Sequence, residues 1–382
     1  MKKRILFIFP SYRIGGTTVS TRNLVSLLDK EEYECWAMPL IPQGLLRDLY
    51  EDVHLVGTPF IVRALHINSW KNEPSIIKKY SMAFVRFVKN HFGGVTDLLE
   101  ERTLNRIIKK YRFDTVVACQ EGITSKVVSA VKVPNKVAWV RCDYKRRLED
   151  TGLSRDGFYG SYNAIVCVSE QTCLNFKLIF PEYESKTYCI PNPQDAAMIV
   201  GRANMTDDEP RFIKEGRTLV SIGRFDAVKR FDHIAPIARK LCDEGLQFRW
   251  YLIGDGPEKE HIIKAIEENK VGDCVILLGV KTNPYYYLQG ADALVCLSRS
   301  EACPRVVNEA KVLHTPTVST DFPTIYEFIE DGETGLIAPL ENIPATLIRL
   351  FNDEDLYNRL QEGIKDFAFD NTELIRKIKL II

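Results

Sequence analysis

The sequence predicts an α/β protein of two Rossmann-like, doubly wound domains facing a cleft. Three observations carry that prediction. Apolar runs such as Ile5-Leu-Phe-Ile-Phe9 are continuous rather than alternating, as in strands buried on both faces of a parallel sheet. These runs alternate with helical periodicity along nearly the whole chain, the pattern of βαβ crossovers. The chain has 382 residues, more than the roughly 250–300 at which a single core stops growing.

The first strand, Lys3–Phe9, runs into the loop Pro10-Ser-Tyr-Arg-Ile-Gly15-Gly16, and Val19, Leu24, Leu27 and Leu28 then recur at helical spacing. Two glycines between strand and helix fit a nucleotide loop, and fit a tight turn without ligand as well. Strands are expected at 35–38 and 53–56. Residues 76–92 form a basic amphipathic helix, with Ile77, Tyr80, Phe84, Phe87, Val88 and His91 on one side and no acid interrupting it. A core helix with a solvated face and a helix lying on an anionic bilayer both account for it. A helix at 101–112, strand 113–118, helix 122–131, strand 136–140, strand 164–168 and strand 186–190 complete a first domain, 1–198. Residues 196–216 lose the periodicity and read as the connection. Alternation then restarts with strands at 218–222, 248–253, 275–278 and 292–297 and helices at 231–244, 258–268 and 284–290. A second domain at 199–355 follows from this, with a terminal helical segment, 356–382, packing back on the first.

Composition narrows the function classes. Charged residues at 27% and hydrophobic ones at 45% describe an ordinary globular protein. No apolar run approaches the roughly 20 residues of a spanning helix, and the short run after Met1 lacks a cleavage site for a secretory signal. The ten cysteines are scattered, without Cys-x-x-Cys or metal spacing, so reduced thiols and a cytoplasmic location are expected. Net charge is zero, yet residues 1–200 hold 28 Lys and Arg against 21 Asp and Glu, and residues 201–382 hold 23 against 30. A basic first half suggests an anionic partner, such as the inner face of a membrane or a phosphorylated lipid. No motif supports nucleic-acid binding.

The chemistry gathers on loops after strands of the second domain. Ser298-Arg-Ser-Glu301-Ala-Cys-Pro304 follows a buried run and opens a helix with Pro304 at its first position. Glu301 falls on the loop and Glu309 about one and a half turns into the helix. Loops at carboxyl ends of parallel strands and helix N-termini are where open α/β sheets bind anionic ligands. Gly223 allows close backbone approach, and Arg224 and Lys229 supply the fork donor and point charge that a diphosphate needs. Gly254-Asp-Gly256 and Gly279 make further tight passages. A carboxylate can accept both O–H groups of a ribose diol. Each feature alone is explained as well by surface charge or a plain turn; the ordered set is not.

Gly-Arg-Phe-x-x-x-Lys at 223–229, Ile253-Gly-Asp-Gly-Pro257, the Glu301/Glu309 pair and Asp331-Gly-Glu-Thr-Gly335-Leu336 resemble, in this order, the retaining glycosyltransferases of the family-4 type with the GT-B fold. The resemblance covers nearly the whole chain and is most specific over 218–339. It implies that Arg224 and Lys229 hold the diphosphate of a nucleotide sugar, that Glu309 binds the ribose and that Glu301 orients the sugar or its leaving phosphate. The backbone through Ala302, Cys303, Pro304, Arg305 and Val306 would cradle sugar and phosphate, with Val280 beside the base. Gly15 and Gly16 would close over the donor phosphate from the acceptor side. Three departures stand out. Ala302-Cys303 replaces Gly-Phe after the first Glu. Arg141, in Trp139-Val-Arg141-Cys-Asp143-Tyr144, replaces His, and an Arg cannot act as a base, leaving Asp143 or no protein base. The Asp-x-Asp at Asp353 and Asp355 sits where a helix starts, and no metal is expected.

The resemblance thus implies transfer of a hexose or N-acetylhexosamine from a UDP-sugar to a glycan or polyprenyl-linked acceptor, with retention and no cofactor, in surface polysaccharide biosynthesis. A nucleotide-sugar epimerase or hydrolase of the same fold, and a non-catalytic binding protein, are the alternatives.

Overall fold

The computed structural model describes residues 2–13, 15–66, 75–152, 155–205 and 215–382. The chain forms two compact units: residues 1–168, 172–193 and 372–382 in the first, and 169–171 with 194–371 in the second.

The first unit carries a seven-stranded sheet of β1 (Lys3–Ser11), β2 (Tyr33–Ile41), β3 (His54–Leu55), β4 (Thr115–Ala118), β5 (Asn135–Val140), β6 (Ala164–Cys167) and β7 (Thr187–Cys189), in the order β3-β2-β1-β4-β5-β6-β7. All neighbours are parallel. Residues Ile5–Phe9 are buried, as a run without alternation requires when both sheet faces are covered. Leu6 and Ile8 pack with Val116, Ala138 and Val140 into one core under helices carrying Leu104, Val128 and Phe176.

The second unit repeats the plan with β8 (Arg217–Ile222), β9 (Phe248–Ile253), β10 (Val275–Gly279), β11 (Ala293–Cys296), β12 (Thr317–Thr320) and β13 (Leu336–Ala338), ordered β10-β9-β8-β11-β12-β13 and again parallel. Helix Ile234–Asp243 shows how sequence sets packing. Ile234, Ile237, Ala238 and Leu241 recur at three and four residues and are the side chains that reach the core with Leu219, Trp250 and Leu252. Gly245, at φ 75°, then turns the chain through the left-handed region just beyond the helix end. In each sheet the strand order reverses beside the first strand, between β1 and β4 and between β8 and β11. That reversal opens a crevice at the carboxyl ends of those strands.

Four expectations are corrected. Residues 196–203, expected to be connection, form a helix whose Ile199 and Ala203 join the second core; 206–214 lie outside the described residues. Only part of 356–382 returns to the first unit. Helix Glu354–Lys365 stays in the second, with Leu356 and Leu360 in its core, capped by the Asp353 side chain accepting from Leu356 N–H at 2.9 Å. Residues 372–382 do return: Leu374 and Ile378 are buried, Lys379 pairs with Glu32 at 2.8 Å, and the Asn135 amide donates to the Ile381 carbonyl at 2.8 Å. Pro304 is the N-cap rather than the first helical residue, and the helix runs Arg305–Val312. Helix Ile76–His91 forms, but its apolar stripe is not in the core. Ile77, Tyr80, Phe84 and Phe87 are exposed, while Met82 on the opposite side packs against Ala64.

Candidate active site

Sheet order brings the second unit's chemistry together. β8 and β11 are hydrogen-bonded neighbours, so the loop after β8, Gly223–Lys229, lies beside the loop after β11, Ser298–Pro304. A backbone bond from Arg299 N–H to the Val228 carbonyl, 2.8 Å, ties the two loops. Across them Lys229 Nζ lies 2.7 Å from Glu301 Oε1, with 23% and 11% of the side chains exposed. The Ser298 hydroxyl donates to the same carboxylate oxygen at 2.7 Å. Two threonines from β12 and just beyond it hold the loop from beneath: Thr320 donates to the Ser298 carbonyl at 2.6 Å and Thr324 to the Glu301 carbonyl at 2.5 Å. Ser221, Lys229, Cys296, Ser298, Glu301 and Val306 line a small pocket at this junction.

Electrostatics keep Lys229 charged. Burial pulls the Lys229 ammonium down, but Glu301, with Cys296 and Asp226, outweighs it and leaves the group above its ordinary value. Burial and then Glu301 push the Cys296 thiol up, so it stays protonated beside the pair. Arg224 is unlike Lys229: its side chain is 72% exposed, and its paired acid, Asp226, is 4.0 Å away. One cation is thus set into the crevice and the other reaches into solvent at its edge.

The second carboxylate is deeper. Glu309 is buried; Arg305, one helical turn earlier, donates to its Oε1, and the Tyr285 hydroxyl donates to the same atom at 3.4 Å. Burial, then Glu309, raises the Tyr285 phenol, which therefore remains a donor. Burial opposes the Arg305 charge and Glu309 more than restores it. The structure thus gives Arg305 a side-chain partner, where the sequence assigned it only a backbone contribution. Ala302 is buried and Cys303 half-buried. Val280 follows Gly279, whose φ of 68° turns the chain, and is 42% exposed.

The glycines divide by cause. A Cβ on Gly254 would sit 1.8 Å from the Gly223 carbonyl oxygen, and one on Gly256 would sit 2.2 Å from that of Phe225. These two are glycine because the chain passes over itself there. Gly223 is different: a Cβ would meet the Phe231 ring at 3.5 Å and Lys229 Cδ at 3.7 Å, both ordinary contacts. In the first unit nothing lies within 4 Å of a Cβ on Gly15 or Gly16, and helix Gly16–Leu27 starts there from extended backbone. The fold does not require glycine at Gly223, Gly15 or Gly16.

Arg141, at the end of β5, is a clamp within the first unit. Its Nε donates to the Cys119 carbonyl at 2.8 Å and its Nη1 to Ser20 Oγ at 2.9 Å and to Asn192 Oδ1. Its backbone N–H donates to Glu121 at 2.8 Å. Asp143 caps helix Tyr144–Thr151, its Oδ1 accepting from the N–H groups of Lys145 and Arg146 and from the Asn175 amide at 3.1 Å. Sequence reasoning missed Ser298, Thr320, Thr324 and Tyr285, and, around Arg141, Ser20 and Asn192. Only Ser298 carried a signal, as the first polar residue after a buried run. Among the described residues no group of three or more His, Cys, Asp or Glu could hold a metal ion, and no helix is long and apolar enough to cross a membrane.

Two doubly wound parallel sheets, the second with a cation–carboxylate crevice at its switch point, are the architecture of the GT-B fold. Residues 205–367 match the family model of the group 1 glycosyl transferases. An uncharacterised glycosyltransferase of Methanocaldococcus jannaschii is 24% identical over 335 residues, covering 72% of this chain and 81% of that protein. The N-acetyl-alpha-D-glucosaminyl L-malate synthase of Bacillus anthracis is 27% identical over 157 residues, 40% of this chain and 41% of the relative. HepE of Anabaena, solved in complex with UDP-glucose, aligns with a TM-score of 0.74 at 14% identity, covering 99% of this chain and 98% of HepE.

Proposed function

We propose that the protein transfers a hexose or N-acetylhexosamine from a UDP-sugar to a glycan or polyprenyl-linked acceptor in surface polysaccharide assembly, with retention, as a family-4-type enzyme. The observation that carries this reading is Lys229 held against Glu301 at the β8/β11 switch point with solvent-exposed Arg224 beside it. The UDP-glucose in HepE and the N-acetylglucosaminyl activity named for the Bacillus anthracis relative support the donor class.

In this mechanism Arg224 and Lys229 neutralise the donor diphosphate, and the amides at the start of helix Arg305–Val312 add their dipole. Lys229 exchanges Glu301 for a phosphate oxygen, which frees the Glu301 carboxylate to orient the sugar. Glu309 binds the ribose, Val280 lies beside the base, and Ala302-Cys303 bounds the sugar. Gly15 and Gly16 leave open space for a phosphate, and Arg141 fixes the loops around them. The bond from anomeric carbon to phosphate oxygen breaks, and a bond from that carbon to the acceptor oxygen forms on the same face. The acceptor proton passes to the departing phosphate oxygen, so no protein base and no metal takes part.

Calorimetric titration with UDP, GDP and their sugars tests the donor, and turnover with lipid and glycan acceptors in chelator tests the transfer. UDP binding that weakens at least tenfold in Arg224→Ala, with an α-configured product from an α-linked donor, is the expected result. Binding of no nucleotide sugar, or an Arg224→Ala variant equal to wild type, overturns it. Free sugar released at the same rate without acceptor assigns a hydrolase instead.

A further inference from the structure

We infer that helix Ile76–His91, with the start of the helix after it, docks the protein onto an anionic phospholipid bilayer. The inference is independent of the donor site. On a helical wheel Ile76, Ile77, Tyr80, Phe84, Phe87 and His91 share an arc of roughly 100°. A helix of a globular unit ordinarily turns such a stripe to the core. This one does the reverse: exposure is 71% at Ile76, 80% at Ile77, 72% at Tyr80, 67% at Phe84 and 56% at Phe87. The side that holds the helix to the fold is the poorer one, with Met82 fully buried against Ala64 and Arg86 Nε donating to the Ala64 carbonyl at 3.1 Å. The apolar surface continues past the helix end through Phe92, Val95, Leu98 and Leu99, each more than 40% exposed.

Five large apolar side chains exposed on one face of a single helix mark a binding face, and charge selects the occupant. Residues 75–99 include Lys78, Lys79, Arg86 and Lys89 against a single acid, Asp97. Lys78, Lys79 and Lys89 are exposed. A second copy of the chain would bring like cations against these lysines, an arrangement that disfavours association. An anionic bilayer accepts both features, with aromatic and aliphatic side chains in the acyl boundary and ammonium groups among the headgroups. Tyr80 suits the interfacial level, its ring apolar and its hydroxyl wet. For an acceptor on a lipid carrier, docking of this kind confines the enzyme to the plane that holds its substrate.

The test uses the full chain and vesicles of phosphatidylcholine alone or mixed equally with phosphatidylglycerol. Cosedimentation is expected with the mixed vesicles, at least tenfold weaker with phosphatidylcholine alone and at least tenfold weaker for the double variant Phe84→Ser/Phe87→Ser. These side chains are exposed, so the variant's thermal midpoint stays at the wild-type value. A Phe84→Trp variant reads insertion directly, through a blue shift of its emission on mixed vesicles. Absence of wild-type binding, or equal binding by wild type and the double variant, overturns the inference. A wild-type dimer in sedimentation velocity that the double variant dissociates also overturns it, assigning the face to a second copy. None of these readouts uses nucleotide or turnover, so the outcome is separate from that of the proposed reaction.

Discussion

Replacing Lys229 by Met removes the cation from a carboxylate that has few alternatives. Glu301 Oε1 is held by Lys229 and by the Ser298 hydroxyl, both at 2.7 Å. Without the ammonium, a carboxylate with 11% of its side chain exposed is left with two neutral donors, the Ser298 hydroxyl and the weak Cys296 thiol at 3.6 Å. Removing one partner of a fully buried pair costs about 3–5 kcal/mol, and an exposed pair contributes about 0–1 kcal/mol. A lysine about a quarter exposed lies nearer the first case, so Lys229→Met is expected to destabilise the second unit by about 2–4 kcal/mol. With a urea slope of roughly 2 kcal/mol per M, the midpoint falls by about 1–2 M. Adding Glu301→Gln removes the stranded charge, and the double variant recovers to within about 1 kcal/mol of wild type. Urea unfolding measures stability and calorimetry measures UDP affinity, which stays at least tenfold reduced in both variants. Recovery of UDP affinity in the double variant would refute a ligand role for Lys229. A Lys229→Met midpoint equal to wild type would refute the claim that this pair holds the loop.

The same pair sets a pH dependence. Because the folded Lys229 lies above its ordinary value of 10.5, its contribution is complete below that pH and is lost as pH rises through the folded value. Stability profiles of wild type and Lys229→Met are expected to converge above pH 10.5, and parallel profiles there would contradict the coupling. Gly254→Ala places a Cβ 1.8 Å from the Gly223 carbonyl oxygen at φ +152°, and is expected to cost about 3 kcal/mol or more in urea unfolding. Gly223→Ala, whose Cβ makes only ordinary contacts with the Phe231 ring at 3.5 Å and Lys229 Cδ at 3.7 Å, keeps stability within about 1 kcal/mol but weakens UDP binding; an equal loss of stability in the two variants counts against the division drawn between these glycines. Arg141→His cannot span Cys119, Ser20 and Asn192 together, and loss of charged hydrogen bonds predicts about 2–4 kcal/mol and a thermal midpoint lower by on the order of 5–10 °C. A variant as stable as wild type, read by differential scanning calorimetry, removes the clamp.

The strands were legible where burial on both faces writes a continuous apolar run, as at Ile5–Phe9 and Trp250–Ile253. β12 and β13 were not, because Thr317-Val-Ser-Thr320 is mostly polar and Leu336-Ile-Ala338 is only three residues long. Lys229 and Glu301 were each readable as candidates, but their contact follows from β8 lying beside β11, which no local spacing encodes. The Arg305–Glu309 pair is the opposite case: four residues apart on a helix, it was available from spacing alone. Helix 76–91 marks another boundary of sequence reading. Periodicity locates an apolar stripe, but not which way the stripe points, because that depends on how Met82 and Arg86 seat against Ala64.

The return of residues 372–382 to the first sheet has a consequence for the order of folding. The first unit draws on 1–168, on 172–193 and on 372–382, so ribosomal synthesis delivers its last piece after the whole of the second unit. Ile378 and Ile381 are buried, and the Asn135 amide reaches the Ile381 carbonyl across 246 positions. While the second unit emerges, the nascent first unit leaves open the place that Leu374, Ile378 and Ile381 later fill. The two units are therefore expected to mature in reverse of their order on the messenger, the second closing on contacts complete within itself and the first waiting for the chain to come back.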